Sequence, residues 1–598
     1  MAFLPMTAEE WEKTGFDQPD FVLVTGDAYV DHPSFGAAII GRLLLGRGYK
    51  VAVIAQPGYR DAEDFKRFGR PRLAFLISGG CVDSMVNNYS VFKHRRKNDA
   101  YSPGGEAGKR PDRAVIVYSN RAKEAYKGVP VIIGGIEASL RRFAHYDYWE
   151  DKVRRSVLLD SKADLLVYGM GERSVCEIAE ALDAGIKISD VTWVRGTCFR
   201  RSATDMGGFP ADGDTEILPD FDDITKDKKA YCKSFAVQVR NSDHIIGKRL
   251  VEPYGGSQCV VQNPPMPPLE GVDLDDIYEM PYERACAPAY NAAGGVPAIK
   301  EVEFSITGSR GCFGGCSFCA ITYHQGRAVR GRSKDSIVNE AKALAAKPGF
   351  KGYIHDVGGP TANFRQPACE KQLAHGACMD RDCLYPSICP QIKPSHAEYL
   401  AILKAVRGID GVKKVFVRSG IRYDYLLADK DGGFLEELCR HHVSGVLKVA
   451  PEHVSERVLA AMRKPGMGVF NRFSEEYRKT NEKLGLKQYL VPYFISSHPG
   501  SALEDAVELA LYLKSTGFVP DQVQDFYPTP GTVSTCMYYT GMDPFTLEEV
   551  YVPDTQEEKR MQRALLHFNK PENRATVEKA LDKAGRPELK QALLGKRR

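Results

Sequence analysis

Three cysteines stand close together in Cys312-Phe313-Gly314-Gly315-Cys316-Ser317-Phe318-Cys319, directly after a strand-like run at residues 302–307. Thiolates bind iron and other soft metals strongly, and a [4Fe-4S] cubane takes four such ligands. Three sulfurs on one short loop therefore leave one iron open to a ligand from outside the protein. Gly314 and Gly315 suit a loop wrapped tightly round a cluster, because glycine takes positive φ without steric cost. A zinc knuckle is the other metal reading; it needs a fourth ligand, for which His324 is the candidate. Buried, unligated thiols are the reading without metal.

A second group, Cys369, Cys378, Cys383 and Cys389, lies within residues 368–390. Clustered thiolates favour soft metals, so this group is expected to hold either a structural zinc or an auxiliary iron–sulfur cluster. The spacing matches neither template, softness alone does not separate the two metals, and His375 is a candidate substitute ligand. The remaining cysteines, Cys81, Cys176, Cys198, Cys232, Cys259, Cys286, Cys439 and Cys536, are scattered and expected as small core residues.

The elements that must position these loops read as α/β. Short apolar runs at 21–25, 51–55, 73–78, 129–133 and 164–168 alternate with helical stretches, which predicts a doubly wound, Rossmann-like domain over 1–190. Its first helix carries Ala37, Ile40, Leu44 and Leu45 at helical spacing. Glycine turns follow three of the strands: Gly79-Gly80, Gly134-Gly135-Ile136-Glu137 and Gly169-Met170-Gly171-Glu172. Ligands of such folds bind beyond the strand ends where these turns lie. Residues 191–300 are less regular, and the run from Asn263 through Pro264, Pro265, Pro267 and Pro268 predicts a linker or strap.

A second alternation begins at 302–307 and continues through 352–357, 414–418, 445–449, 488–495 and 522–526. Six strands with intervening helices predict a partial (β/α)6 barrel over 301–540, with the cysteine-rich segment inserted at 360–394. Catalytic groups of such barrels gather at the carboxyl ends of the strands. There stand His355-Asp356-Val357-Gly358-Gly359-Pro360, then Arg418 and Ser419, then Ala450-Pro451-Glu452-His453. Residues 541–598 read as a small, basic, helical C-terminal extension. From Gln556 to Arg598 there are 12 Lys and Arg against 6 Asp and Glu, a net of +6 within a chain of net +4.

The C-x3-C-x2-C spacing, with Phe318 immediately before the last cysteine, resembles the signature of the radical SAM superfamily. That resemblance implies S-adenosylmethionine (SAM) chelated on the open iron and cleaved by an electron to a 5'-deoxyadenosyl radical. It places Phe318 against the adenine and gives Gly358 and Gly359 a backbone role toward the methionine amino group; proline at Pro360 replaces the glutamate that superfamily members carry there. Arg418 and Ser419 are candidates for meeting the SAM carboxylate or ribose, since the guanidinium fork suits a carboxylate, and Glu452 is a further cofactor-binding candidate. The N-terminal turns resemble a cobalamin-binding-type domain, but Asp31-His32-Pro33-Ser34-Phe35-Gly36 departs from D-x-H-x-x-G, so His32 is expected as a polar residue before a helix. Glu456-Arg457-Val458-Leu459 and Thr529-Pro530-Gly531-Thr532 are similar to segments of methylthiotransferases. Over nearly its full length the chain most resembles the YgiQ family of radical SAM proteins.

With 43% hydrophobic and 26% charged residues, and no apolar run long enough for a membrane span, the composition is that of a globular protein away from membranes. The first ten residues lack a basic segment followed by an apolar one, so a cytoplasmic protein with reduced cysteines is expected. The implied partners are a reductant such as flavodoxin or ferredoxin, received on Arg327, Arg330, Arg332 and Lys334 or supplied elsewhere if that segment is a solvated loop. The leading expectation is a radical SAM enzyme acting on a substrate that the sequence does not name. The alternatives are a methylthiotransferase-like or cobalamin-dependent modifier of RNA or protein, and a non-catalytic iron–sulfur or zinc protein that binds RNA or carries electrons. The tail lacks the interleaved aromatics that stacking on bases requires.

Overall fold

The computed structural model describes residues 3–202, 213–518, 520 and 523–595. The chain forms two compact units, one of Met1–Ser305 with Tyr323–Gly326 and Arg330–Glu340, the other of Ile306–Thr322, Arg327–Val329 and Ala341–Arg598.

The first unit is built on a nine-stranded sheet. Its parallel half runs, in spatial order, Val51–Ala55, Phe21–Thr25, Ala74–Ser78, Val131–Gly134 and Leu165–Val167. In chain order that is 2-1-3-4-5, a doubly wound arrangement whose switch point lies between the first and third strands. The apolar runs form this sheet because both faces are covered. Phe21, Leu23, Val51, Val53, Leu76 and Ile132 point into one apolar cluster. Their immediate neighbours Val22, Val24, Ala52, Ile54, Ile77 and Ile133 point into the other, following the two-residue alternation of a strand.

The segment expected as an irregular linker carries four further strands of the same sheet. Thr197–Ser202, Gln258–Gln262, Arg249–Tyr254 and Thr215–Ile217 extend it beyond Leu165–Val167, with antiparallel pairing except between the last two. The proline run follows Gln258–Gln262 without helix or strand, in keeping with its fixed φ and missing N–H donors.

In the second unit the strands are short. Ser305–Thr307 pairs with Asp356–Gly358, Tyr353–Ile354 runs parallel to Lys414–Val415, and Val446–Glu452, Tyr489–Ser496 and Gln524–Asp525 form a parallel three-stranded group. Together they mark the six positions expected of the partial barrel. The first starts later than expected, because residues Ile299–Val302 are helical; Gln522, the expected start of the last, lies outside the described residues. Helices Lys334–Ala345, Glu456–Met462 and Leu503–Thr516 fall where expected.

The C-terminal extension forms helices Gln556–Leu566, Arg574–Lys583 and Leu589–Leu594. Leu565, Val577, Leu581 and Leu593 bury against Ala506, Val507 and Ala510 of the Leu503–Thr516 helix. Much of its charge is paired within itself: Lys579 and Lys583 both reach Glu557, Arg586 reaches Glu588 at 2.6 Å, and Lys590 reaches Asp582 at 2.6 Å.

Candidate functional site

The cluster loop leaves Ser309–Arg310 without further regular structure until the short helix Ile321–Gln325. Gly311 turns it with φ of 79°, and a Cβ there would meet Ala328 O at 2.3 Å. Phe313 anchors it from within: its ring is buried and stacks on Phe364 with centroids 3.8 Å apart, with Tyr425 beside both. Gly315 has φ of 69°. Gly314 serves a different need, since a Cβ there would lie 2.9 Å from Arg422 Nη1 and 3.2 Å from the Cys312 sulfur.

Cys312, Cys316 and Cys319 are half-buried and free of disulfides. Burial pushes the Cys319 thiol up to about 12, and the nearby sulfurs of Cys316 and Cys312 push it further in the same direction; burial also raises Cys312. Such thiols ionise when a cation sits among them, which is what a metal cluster supplies. Donors already face two of the sulfurs. Gly314 N and Thr361 Oγ1 lie 3.4 Å from Cys312 Sγ, and Arg422 Nη1 lies 3.6 Å from Cys316 Sγ while donating to Gly314 O at 3.1 Å. The chemistry of this donor set fits an iron–sulfur cluster.

Arg422 was not foreseen, and it is closely held. Its Nε and Nη2 donate to Asp424 at 2.9 and 2.6 Å, and Asn363 brackets its backbone on both sides. Although burial opposes the charge, Asp424 and the cysteine sulfurs hold the guanidinium firmly protonated. A second unforeseen support reaches Ser317 from the far side. Its hydroxyl lies 2.8 Å from Ser534 Oγ and donates to Ala461 O, and Ser534 Oγ lies 2.7 Å from His498 Nε2. Ser534 N also donates to Ser317 O at 2.9 Å. All three side chains are buried, and burial lowers His498 to about 3, so its ring is neutral.

Glu452 joins this site. It ends the strand Val446–Glu452 at an irregularity in the pairing, with φ of 74°, and its carboxylate lies 3.9 Å from Lys464 Nζ. Burial raises its pKa, with Lys464 and Arg422 opposing, and its charge is felt at Cys319. Phe318 is half-buried against Val458, Met462, Ile495 and Phe526, edge-on to His498 at 6.0 Å.

Gly358 and Gly359 are required by close packing. A Cβ on Gly358 would lie 2.2 Å from Ser419 Oγ, and one on Gly359 would lie 2.5 Å from Ser309 Oγ. The Ser419 hydroxyl, expected toward a ligand, donates to Asp356 instead, and the backbone N of Arg418 donates to the same carboxylate at 2.7 Å. The Arg418 side chain is exposed.

Other expectations are corrected. Arg332 is buried against Glu340, Ser336 and the Tyr278 ring, Arg330 pairs with Glu270 at 2.7 Å, and Arg327 with Asp382 at 3.4 Å. The basic segment is thus largely consumed within the fold rather than offered as a docking face. His375 is exposed on the short helix Glu370–His375. Among the described residues, no three or more His, Cys, Asp or Glu side chains are grouped to hold a metal ion, and His324, the candidate fourth zinc ligand, has its Nδ1 3.0 Å from Ser139 Oγ.

In the first unit a cleft opens beyond the ends of the parallel strands. Thr25, Ser78, Gly80, Gly134-Gly135 and Gly169 to Gly171 line it, with Phe35, Ile39, Ile40 and Val175 as apolar wall. His324 also lines it, its Nδ1 3.0 Å from Ser139 Oγ. The Gly79-Gly80 turn is closely packed by the protein: Arg110 donates to Gly79 O at 2.7 Å and pairs with Asp27 at 2.7 Å. His32 is buried, its Nδ1 accepting from Ser34 N at 3.1 Å, and it is absent from the cleft lining.

A loop of three thiols at the mouth of a short-stranded α/β barrel defines a radical SAM protein. Two family models agree: Radical SAM N-terminal matches residues 3–305 and Radical SAM superfamily matches 306–513, while a domain of unknown function (DUF3362) matches 521–595. A UPF0313 protein of Clostridium botulinum (strain 657 / Type Ba4) is 54% identical over 590 residues, covering 98% of this chain and 91% of that one. A UPF0313 protein of Clostridium perfringens (strain 13 / Type A) is 54% identical over 587 residues, covering 98% and 88%. The chain belongs to UPF0313, the YgiQ family, and is a radical SAM enzyme. Among solved structures, the radical SAM methyltransferase TsrM from Kitasatospora setae, with tryptophan substrate and SAM analogue bound, aligns with TM-score 0.44 and 16% identity over 87% of this chain and 77% of that one. The cobalamin-dependent SAM radical enzyme OxsB aligns with TM-score 0.43 and 11% identity over 89% and 56%.

Proposed function

We propose that the chain cleaves SAM reductively and directs the resulting 5'-deoxyadenosyl radical at a substrate. The observation that carries this reading is the convergence of Cys312, Cys316 and Cys319 beside the buried, permanently charged Arg422. Cys312, Cys316 and Cys319 would hold a [4Fe-4S] cluster, which would supply the electron and an open coordination position for SAM. The chain's own residues hold the loop, exclude water and bind the nucleotide. Phe318 offers a ring to the adenine, the Gly358 and Gly359 backbone meets the methionine amino group, and Arg418 swings from its exposed position to the carboxylate. Glu452, buried beside Lys464 and felt electrostatically at Cys319, adds a carboxylate to the nucleotide site. The electron would come from a reductant of the flavodoxin or ferredoxin type, docked elsewhere than on Arg327, Arg330 and Arg332, which are paired within the fold.

The cleft of the first unit supports a second cofactor. A corrinoid there would be held by the Gly134-Gly135 and Gly169 to Gly171 turns and by the apolar wall of Phe35, Ile39, Ile40 and Val175, and it would supply methyl-transfer chemistry. Binding is tested by titrating hydroxocobalamin and watching its visible spectrum; wild type should shift it and Gly134→Leu should not.

A methylthiotransferase-like activity on RNA or protein is the second reading, favoured by the cysteine-rich insertion packed beside the cluster loop; the insertion would then hold a second metal centre. The deciding experiment is anaerobic reconstitution followed by dithionite and SAM. Formation of 5'-deoxyadenosine supports the radical reading. A fully loaded cluster that yields none, with flavodoxin also tried, supports a non-catalytic electron carrier or RNA-binding protein.

A further inference from the structure

We propose that the inner face of the barrel, beginning in a cleft at the amino ends of its strands, binds single-stranded nucleic acid. This deepens the proposed function by naming a substrate class, and it rests on the radical reading only for calling the bound strand a substrate.

The face follows from the alternation of the strands. Tyr353, Lys414, Val446, Lys448 and Tyr489 are exposed, while their neighbours Ile354, Val415, Leu447 and Val449 are buried. Tyr353 pairs with Lys414, and Val446 with Tyr489, in parallel register, which sets paired side chains on the same side. Each strand thus has one covered and one bare face. Helices cover the outside of a (β/α) barrel, so the bare face is the inner one. Tyr353, Lys414, Val446 and Tyr489 are each the first residue of their strand. Tyr353, Val446 and Tyr489 are 40%, 45% and 67% exposed, and large apolar groups left bare together mark a binding surface.

At this end Tyr353, Lys413, Lys414, Phe416, Leu486 and Lys487 line a cleft, and among the described residues no Asp or Glu joins them. The Tyr353 and Phe416 rings lie nearly parallel, 11° apart in plane with centroids separated by 6.2 Å. All three lysines are exposed, and among the described residues none makes an ion pair. Farther along the strands Lys448 Nζ stands 5.9 Å from the Tyr493 ring centroid. The combination of cation and ring therefore continues from the cleft toward Arg418 and Glu452, the residues proposed above for the nucleotide site. From Val446 to Glu452 the strand spans about 20 Å.

The chemistry selects the occupant. Lysines without acidic partners attract an anion, but an acidic peptide would engage them and leave the rings idle. An uncharged apolar ligand would do the reverse. A single strand uses both, its phosphates on the lysines and its bases stacked on the aromatic faces. A duplex keeps its bases stacked on one another and has none to offer the rings.

The test is fluorescence anisotropy of a fluorescein-labelled oligouridylate of about twelve nucleotides with anaerobically reconstituted full-length protein, at about 50 to 200 mM salt. If Lys413, Lys414, Lys448 and Lys487 each neutralise one phosphate, the logarithm of the affinity should fall against that of salt with a slope of about −3, and Lys414→Gln with Lys448→Gln should bring the slope to about −1.5. Tyr489→Ser should weaken binding about fivefold or more and leave the slope unchanged. These side chains are exposed, and an unaltered electron paramagnetic resonance (EPR) signal from the first cluster checks that the variants are folded. The wild-type slope and a preference for the single strand over an RNA duplex of the same length test the proposal without any variant. No binding at the lowest salt, a duplex bound as tightly, displacement by oligoglutamate as readily as by unlabelled oligouridylate, or folded variants that bind like wild type would each overturn it. Binding as expected with no 5'-deoxyadenosine formed would sink the radical reading alone, and deoxyadenosine formed without binding would sink this proposal alone.

Discussion

Replacing Arg422 should make the first cluster harder to reduce, and the size of the effect can be worked from its contacts. Nη1 lies 3.6 Å from Cys316 Sγ, while the other donors are committed to Asp424. Arg422→Met alone would strand the Asp424 carboxylate in a buried site, so the informative variant pairs it with Asp424→Asn. The lost interaction is a hydrogen bond between charged groups, worth about 1.5–3 kcal/mol. Reduction adds a negative charge to the cluster and strengthens that bond. If its whole worth were felt only in the reduced state, the midpoint potential would fall by about 65–130 mV, taking 59 mV per tenfold change for one electron. That is a ceiling, and Arg422→Lys should fall by less. The assay is an EPR-monitored redox titration at matched iron content. A potential that stays put or rises in the double variant would refute the assignment of Arg422 as the cation that eases reduction.

Ser534→Ala removes the link between His498 and Ser317 and leaves buried polar atoms unpaired; it should cost about 1–3 kcal/mol in denaturant unfolding. Unchanged stability would mean that the serine pair is incidental. Gly311→Ala forces a Cβ to 2.3 Å from Ala328 O at a left-handed φ, a strain of about 1–3 kcal/mol or more, and should lower cluster loading on reconstitution. Glu252 gives the first unit a pH dependence. Burial raises its carboxyl to about 7 from 4.5, so its protonated form is favoured on folding. Its contribution is complete below about pH 4.5 and lost as pH rises through about 7, a change of about 3 kcal/mol. Thermal unfolding across that window should show the decline in wild type, and Glu252→Gln should flatten it.

Much of this was legible in the sequence. Continuous apolar runs between helices can only be strands covered on both faces, and those at 21–25 and 51–55 match the structure residue for residue. The cysteine loop declared itself because ligand spacing is local. What stayed hidden is set by contacts between distant residues. Thr197–Ser202, reading TCFRRS, alternates too weakly to announce a strand and owes its place to pairing with Gln258–Gln262. Arg422 and Ser534 lie more than a hundred residues from the loop they brace, so no local pattern points to them. Arg327, Arg330 and Arg332 looked like a free basic face because their acidic partners, Asp382, Glu270 and Glu340, are scattered along the chain. The bond from the Ser419 hydroxyl to Asp356 stayed hidden for the same reason, its partner standing 63 residues earlier.

The central claim is that Cys312, Cys316 and Cys319 hold a cluster with a corner reserved for SAM. Anaerobic protein reduced with dithionite should show a cubane EPR signal that changes on adding SAM and should release 5'-deoxyadenosine, and Cys316→Ala should lose both. A fully assembled cluster whose spectrum ignores SAM, with no deoxyadenosine formed, would contradict the account.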